Sequence, residues 1–216
     1  MSYNDQFLNL NCSFDVLKTY KGSNGLGSLP KNFSKEISES LAVINEIKSA
    51  VLKHSKVVIL DLCAGNALTS IISCFLFKNL KAIAIDLKPR KEDFSNVANF
   101  QYLVQDIYNF EYKPESGDYN IVIGVHPCKD LAFKICNIFK KIYKDSDTNC
   151  KLVLMPCCKG KIPNQYSVLQ QNLNKYELWS YYLAKKLESE LPTVKFNVKT
   201  DKKIISPCNI LVTSLE

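Results

Sequence analysis

The sequence predicts an α/β domain organised around one open sheet. Three observations lead there. Short continuous apolar runs alternate with segments whose apolar residues recur at helical spacing, from residue 34 to residue 191. The chain then ends in two β-rich stretches that read as a hairpin. No linker or internal repeat divides the pattern, so a single domain is expected.

Residues 1–33, which include GSNGLGSLP, are expected to form a flexible N-terminal segment or a lid, and residues 34–216 the domain proper. In SKEISESLAVINEIKSAVLK, residues 34–53, Ile37, Leu41, Ile44, Ile47 and Val51 share one helical face, with Ser34 as the expected cap. VVILDL, residues 57–62, is the kind of run shown by a strand buried on both faces. LTSIISCFLF then reads as a helix, and KAIAID, QYLVQD and YNIVIGV as strands. LAFKICNIFKKIY is helical, CKLVLMP a strand, and YELWSYYLAKKLESEL helical. The tail reads as two strands joined around Asp201.

Composition sets the broad class. A chain of 216 residues with 46% hydrophobic content can bury a large core, which excludes a small disulfide scaffold. The start, MSYNDQFLNLNCSFD, lacks a basic cluster followed by an apolar stretch, so no signal peptide is expected. The longest apolar stretch, near IISCFLF, falls short of the roughly 20 residues a bilayer requires. A soluble, cytoplasmic protein without a membrane partner is expected, with its nine cysteines kept as thiols. The formal charge is +7, and residues 120–216 hold 15 basic and 8 acidic side chains. That surplus suits an anionic partner such as RNA. Arg90 is the only arginine among 28 basic residues, and a nearly all-lysine surface, short of the guanidinium fork that nucleic-acid readers favour, fits a compositionally biased, merely solvated face equally well; no DNA partner is expected.

In open α/β sheets, ligands bind at the carboxyl ends of the strands, where strand order reverses. After the first strand comes DLCAGNAL, with Asp61 at the strand end, Gly65 in the turn and a helix beginning near Leu68. Gly65 allows close backbone approach, and the helix amino terminus offers unpaired N–H groups. Asp86 ends the second strand, where a carboxylate can accept hydrogen bonds from ribose hydroxyls. Gln105, Asp106 and Ile107 end the third and can bracket an adenine.

This ordered set resembles the class I S-adenosylmethionine (SAM) methyltransferases, over about residues 57–213. The resemblance implies a Rossmann-like seven-stranded sheet with a C-terminal antiparallel hairpin, and SAM as cofactor. It implies a donor site formed by Asp61, Cys63, Gly65, Asn66, Asp86, Leu87, Asp106, Ile107 and Val125. Cys63 and Ala67 stand where the family commonly has glycine. The rival dinucleotide fold is disfavoured, because AGNALT lacks the G-x-G-x-x-G glycines. No G-x-x-x-x-G-K-[ST] loop is present either.

The fourth strand ends in GVHPCKDL and the fifth in MPCCKG. A residue before proline is held extended, so His126 is expected in extended backbone facing the cleft. H-x-C followed by a distant C-C resembles a branch that includes tRNA acceptor-stem 2'-O-methyltransferases and relatives of the rRNA adenine dimethylases. There Lys129 replaces the glycine of H-x-C-G, while Asp130 and Leu131 fit the following D-L. The implied catalytic group is His126, Cys128 and Cys157. Zinc, a thiol nucleophile, a pocket wall and plain core packing all remain open for the paired Cys157 and Cys158. The reading adopted is a pocket wall without metal, because the cysteines lie on two strand ends and not in C-x-x-C knuckles. Cys74, Cys136 and Cys150, within apolar runs, read as core. His126 is the expected base, since histidine exchanges its proton near neutral pH. The expected function is thus SAM-dependent methylation of RNA, with protein or small-molecule acceptors, or a catalytically silent binding module, as alternatives.

Overall fold

A computed structural model describes residues 1–21, 29, 31–146, 150–164, 173–207 and 209–215. Seven strands form one sheet: β1 (Val57–Leu62), β2 (Leu80–Asp86), β3 (Phe100–Val104), β4 (Tyr119–Val125), β5 (Cys150–Met155), β6 (Phe196–Thr200) and β7 (Ile210–Ser214). Their order is β3-β2-β1-β4-β5-β7-β6. The first five are mutually parallel, and β7 runs antiparallel to both β5 and β6. This is the Rossmann-like arrangement with a terminal antiparallel hairpin. Strand order reverses between β1 and β4, which opens a crevice above their carboxyl ends.

The apolar runs explain the two-sided core. Successive strand residues face opposite sides of a sheet, and a strand covered on both faces must be apolar throughout. Thus Ile59, Ile121 and Ile123 enter one core, while Val58, Leu60, Leu62 and Val122 enter the other. Helices α3 (Phe33–Lys53) and α4 (Leu68–Leu76) cover the first face; α5 (Asp130–Asp145) and α6 (Lys175–Glu190) cover the second. The cap of α3 is Asn32, and Ser34 lies inside the helix, where its hydroxyl accepts from Asn4 at 2.6 Å. No described helix is long and apolar enough to cross a membrane.

The N-terminal segment carries two helices that the sequence pattern did not reveal, α1 (Tyr3–Leu8) and α2 (Ser13–Lys21). Ser2 and Asp5 form a capping box at the start of α1. Tyr3, Phe7, Val16 and Tyr20 are buried in the same core as α3, with the Phe7 and Tyr20 rings 6.5 and 5.3 Å from Phe33. The Tyr3 hydroxyl donates to Asp201 at 2.6 Å, in the connection between β6 and β7. Packing therefore runs across the boundary expected at residue 34. Part of GSNGLGSLP lies outside the described residues.

Register decides which residues meet at the crevice. Leu62 pairs with Ile85, placing the turn after β1 beside Asp86. Val125 pairs with Met155, so β4 and β5 end level and their following turns lie side by side.

Candidate active site

The turn after β1 is built on left-handed backbone. Cys63, Gly65 and Ala67 have φ of 60°, 55° and 59°. Cys63 and Ala67 thus keep the conformation that glycine favours although neither is glycine, a strained choice for L-residues. The turn is held by Ala64 N–H on the Ile85 carbonyl at 3.0 Å and by Ala67 N–H on the Ala64 carbonyl at 2.8 Å. Gly65 N–H donates to Asp86 Oδ2 at 2.9 Å, and Lys88 N–H donates to Oδ1 at 2.9 Å. Asp86 is therefore an organised carboxylate beside the turn. Asn66 spans the cleft, donating from Nδ2 to Glu36 at 2.6 Å, while its carbonyl accepts from Tyr20 at 2.7 Å.

Asp61 closes the floor. Only 3% exposed, it accepts from Ser70 Oγ at 2.8 Å. Burial pushes its carboxyl up to about 7; the Ser70 bond opposes this and the Asp86 charge adds to it. A carboxyl raised in the folded state stabilises the fold fully below its unfolded value, and that contribution is lost as pH rises through about 7. Asp61→Asn should remove this dependence. Urea unfolding is expected to show the variant more stable than the parent by roughly 3–4 kcal/mol at about pH 8, with little advantage at about pH 4. An equal difference at both pH values would contradict the assignment.

The turn after β4 is strained as well. Lys129 has φ 46°, and His126 has φ 61°, where the following proline led us to expect extended backbone. Tertiary contacts account for the departure: His126 N–H donates to the Met155 carbonyl at 2.9 Å, and its Nε2 stands 2.7 Å from Glu39 Oε1. That contact lies outside hydrogen-bond geometry, since both atoms are buried without a hydrogen-bond partner. It is a close ion-pair contact when the imidazole is protonated. Among the described residues, four of the five non-glycine residues with positive φ sit in the turns after β1 and β4. Such clustering marks a site that the rest of the fold must hold in place.

A cavity of about 330 Å³ lies between these turns. Glu36 and Glu39 of α3, Asp61, Gly65, Arg90 and His126 carry its chemistry. Cys63, Asn66 and Val125 also line it, so six of the expected site residues surround one space. Asp86 stands just behind, through Gly65. The Cys63 thiol is pushed up to about 12 by burial and then by the charges of Asp86 and Asp61, which argues against its acting as a nucleophile. Asp106 accepts from Tyr108 N–H at 2.9 Å and caps a short 3-10 turn, Ile107–Asn109. Ile107 is buried in the core, and Leu87 is 68% exposed. A larger depression of about 490 Å³ between residues 108–112 and α5 offers one carboxylate, Glu111, but no imidazole or thiol.

The sequence pattern does not single out Glu36, Glu39, Arg90 or Tyr102 as site residues. Glu36 and Glu39 lie one turn apart on α3 beside the apolar stripe, a spacing equally common on solvated helix faces. Arg90 stands out in the sequence only by its rarity. Tyr102, in β3, shares its hydroxyl proton between the Gly65 and Lys88 carbonyls at 2.9 and 3.1 Å, bracing both turns.

Beyond the β4 turn, the backbones of Cys128 and Cys158 pair in a single parallel β-bridge while their thiols stay free, and the Cys157 thiol approaches the His126 carbonyl at 3.3 Å. Hydrogen bonds from Cys128 and Cys157 lower Cys158, with Lys129 and Lys175 adding to the effect; burial raises Cys157. Gly160 lets the Trp179 indole lie directly against the backbone, where a Cβ would collide. Cys136 and Cys150 are buried, as their apolar runs suggested, while Cys74 is half-buried.

No protein-family model and no curated protein matches the sequence. Solved structures offer distant likenesses. Magnesium protoporphyrin IX methyltransferase (ChlM) from Synechocystis PCC 6803 with bound SAM is 11% identical, with 98% of this chain and 94% of that chain covered and a TM-score of 0.49. The 23S rRNA methyltransferase ErmE is 13% identical, with 81% and 68% covered and a TM-score of 0.49. The plantazolicin methyltransferase BpumL, in complex with a pentazolic desmethylPZN analog and SAH, is 9% identical, with 99% and 93% covered and a TM-score of 0.48. The fold class rests on this chain's own strand order, a seven-stranded Rossmann-like sheet closed by an antiparallel hairpin.

Proposed function

We propose that this chain is a SAM-dependent methyltransferase with RNA as its acceptor class. The observation that carries the reading is the cavity at the topological switch point, framed by two strained turns and lined by three carboxylates, one guanidinium and one imidazole. That set suits an amino-acid zwitterion beside a sulfonium. Glu36, Glu39 and Asp61 would face the positive groups, and Arg90 the carboxylate. Asp86, fixed by Gly65 N–H, retains lone pairs for ribose hydroxyls, and Asp106 with Ile107 and Leu87 would border the adenine. Tyr20, donating to the Asn66 carbonyl, would let the N-terminal segment brace the donor turn.

Bound SAM supplies a methyl group already activated on a sulfonium. The chain's task is then to align the acceptor, exclude water and receive a proton. His126 lines the cavity and is the group placed to take that proton, with Glu39 stabilising the resulting cation. Cys128 and Cys157 border the same turn. Exposed Lys129, Lys159, Lys161 and Lys175 lie on the β4–β5 side and would meet a phosphate backbone, which favours RNA over an uncharged acceptor. Cys63 and Ala67 keep glycine-like backbone, which weakens the case for a silent module.

Calorimetry should show one SAM bound per chain. Asp86→Ala should weaken it by about 10- to 150-fold, or about 1.5–3 kcal/mol, through loss of charge-assisted hydrogen bonds. Labelled SAM incubated with total RNA and with total protein should label the RNA. No binding by the parent chain would end the proposal; labelled protein alone would keep the donor and replace the acceptor.

A further inference from the structure

The sulfur atoms of Cys128, Cys157 and Cys158 form a nearly equilateral triangle. Cys128 lies 3.2 Å from Cys157 and 3.4 Å from Cys158, and the last two are 3.4 Å apart. Exposure, stoichiometry and thiol chemistry set this cluster apart from packing or pairing. Cys128 is exposed and the other two are half-buried, so the cluster is not core. One disulfide would leave the third thiol unpaired. Thiols are also weak hydrogen-bond donors, so three sulfurs converging on one point gain little from each other while neutral.

We infer that Cys128, Cys157 and Cys158 form a three-thiolate site for zinc, with the fourth coordination position open. Tetrahedral zinc with bonds of about 2.3 Å holds its sulfurs about 3.8 Å apart. The triangle therefore opens by only a few tenths of an ångström to take the ion. A thiolate set selects zinc over hard cations such as magnesium or calcium. Each thiol releases its proton on binding, leaving the Zn²⁺ and three thiolates with one net negative charge, and Lys129 and Lys175 stand nearby to offset it. Among the described residues, no histidine nitrogen or carboxylate joins the three sulfurs. His126, two residues before Cys128, faces Glu39 instead. The open position is thus left to water or to a soft donor arriving from solution, as in zinc sites that do more than brace a fold.

Sequence spacing argued against metal because the cysteines sit on two strand ends. The β4–β5 register removes that objection: Val125 pairs with Met155, and three residues further on the backbone of Cys128 pairs with that of Cys158. Zinc there would tie the turn that carries His126 to the turn after β5. The inference stands on the sulfur geometry alone and is independent of the methyltransferase reading.

The test is titration of the reduced, metal-free full chain with Co²⁺, followed by displacement with Zn²⁺. One equivalent of cobalt should produce thiolate-to-metal charge-transfer absorption, which one equivalent of zinc removes. Cys128→Ser, Cys157→Ser and Cys158→Ser should each weaken zinc by more than the roughly 10- to 100-fold that loss of a supporting group costs. Cys74→Ser, on α4, should bind as the parent does. X-ray absorption on the zinc-loaded parent, which needs no variant to fold, should show three sulfurs at about 2.3 Å. Absence of the charge-transfer band, undiminished binding by Cys128→Ser, or fewer than three sulfur neighbours would overturn the site.

Discussion

His126→Ala is expected to lower turnover by about 10²- to 10⁴-fold while donor affinity changes little. The imidazole lines the cavity, and the β4 turn holds it at φ 61° with its Nε2 against buried Glu39. A group that receives a proton acts only in the transition state, so its loss appears in kcat and not in the donor dissociation constant. Glu39→Gln keeps the size but removes the charge that would stabilise the imidazolium, and it should lower turnover in the same direction. The measurements are SAM affinity by calorimetry and the rate of label transfer to RNA. Unchanged turnover, or losses of equal size in affinity and rate, would show that His126 only shapes the pocket.

Gly65→Val is expected to reduce SAM affinity by at least about 100-fold and to leave a folded chain by circular dichroism. Crowding of the ligand and an unfavourable turn are two possible causes of such a loss. The structure separates the two: a Cβ at Gly65 meets nothing within 4 Å, but φ is +55°. Left-handed backbone costs an L-residue about 1–2 kcal/mol, and a β-branched side chain more. The turn would relax towards negative φ and withdraw the Gly65 N–H from Asp86, disorganising the ribose acceptor. Gly65→Ala should accordingly lose less than Gly65→Val. Parent-like affinity in the valine variant would place the donor elsewhere.

The sheet was legible because β1 and β5 are buried at every position, so VVILDL and CKLVLM are apolar apart from Asp61 and Lys151. The N-terminal helices were not. Their burial depends on a few spaced side chains, Tyr3, Phe7, Val16 and Tyr20, separated by polar residues that blur the helical period. The acids after β1 and β2 were legible because strand ends in an α/β sheet are the places where ligands gather. Glu39 was not, since a single acid on a helix face carries no sign of its burial until α3 is docked.

The sequence by itself determined the α/β class, the succession of the seven strands along the chain, the terminal hairpin and the candidate acids Asp61 and Asp86. These follow from local periodicity and from the position of residues relative to strand ends. Only the tertiary structure decided that Cys63, Ala67 and His126 adopt positive φ, that His126 meets Glu39, and that Cys128 closes a triangle with Cys157 and Cys158. Each of these joins residues far apart in the chain. Local propensity disfavours the strained turns, and strand register, hydrogen bonds to neighbouring strands and burial against α3 override it together.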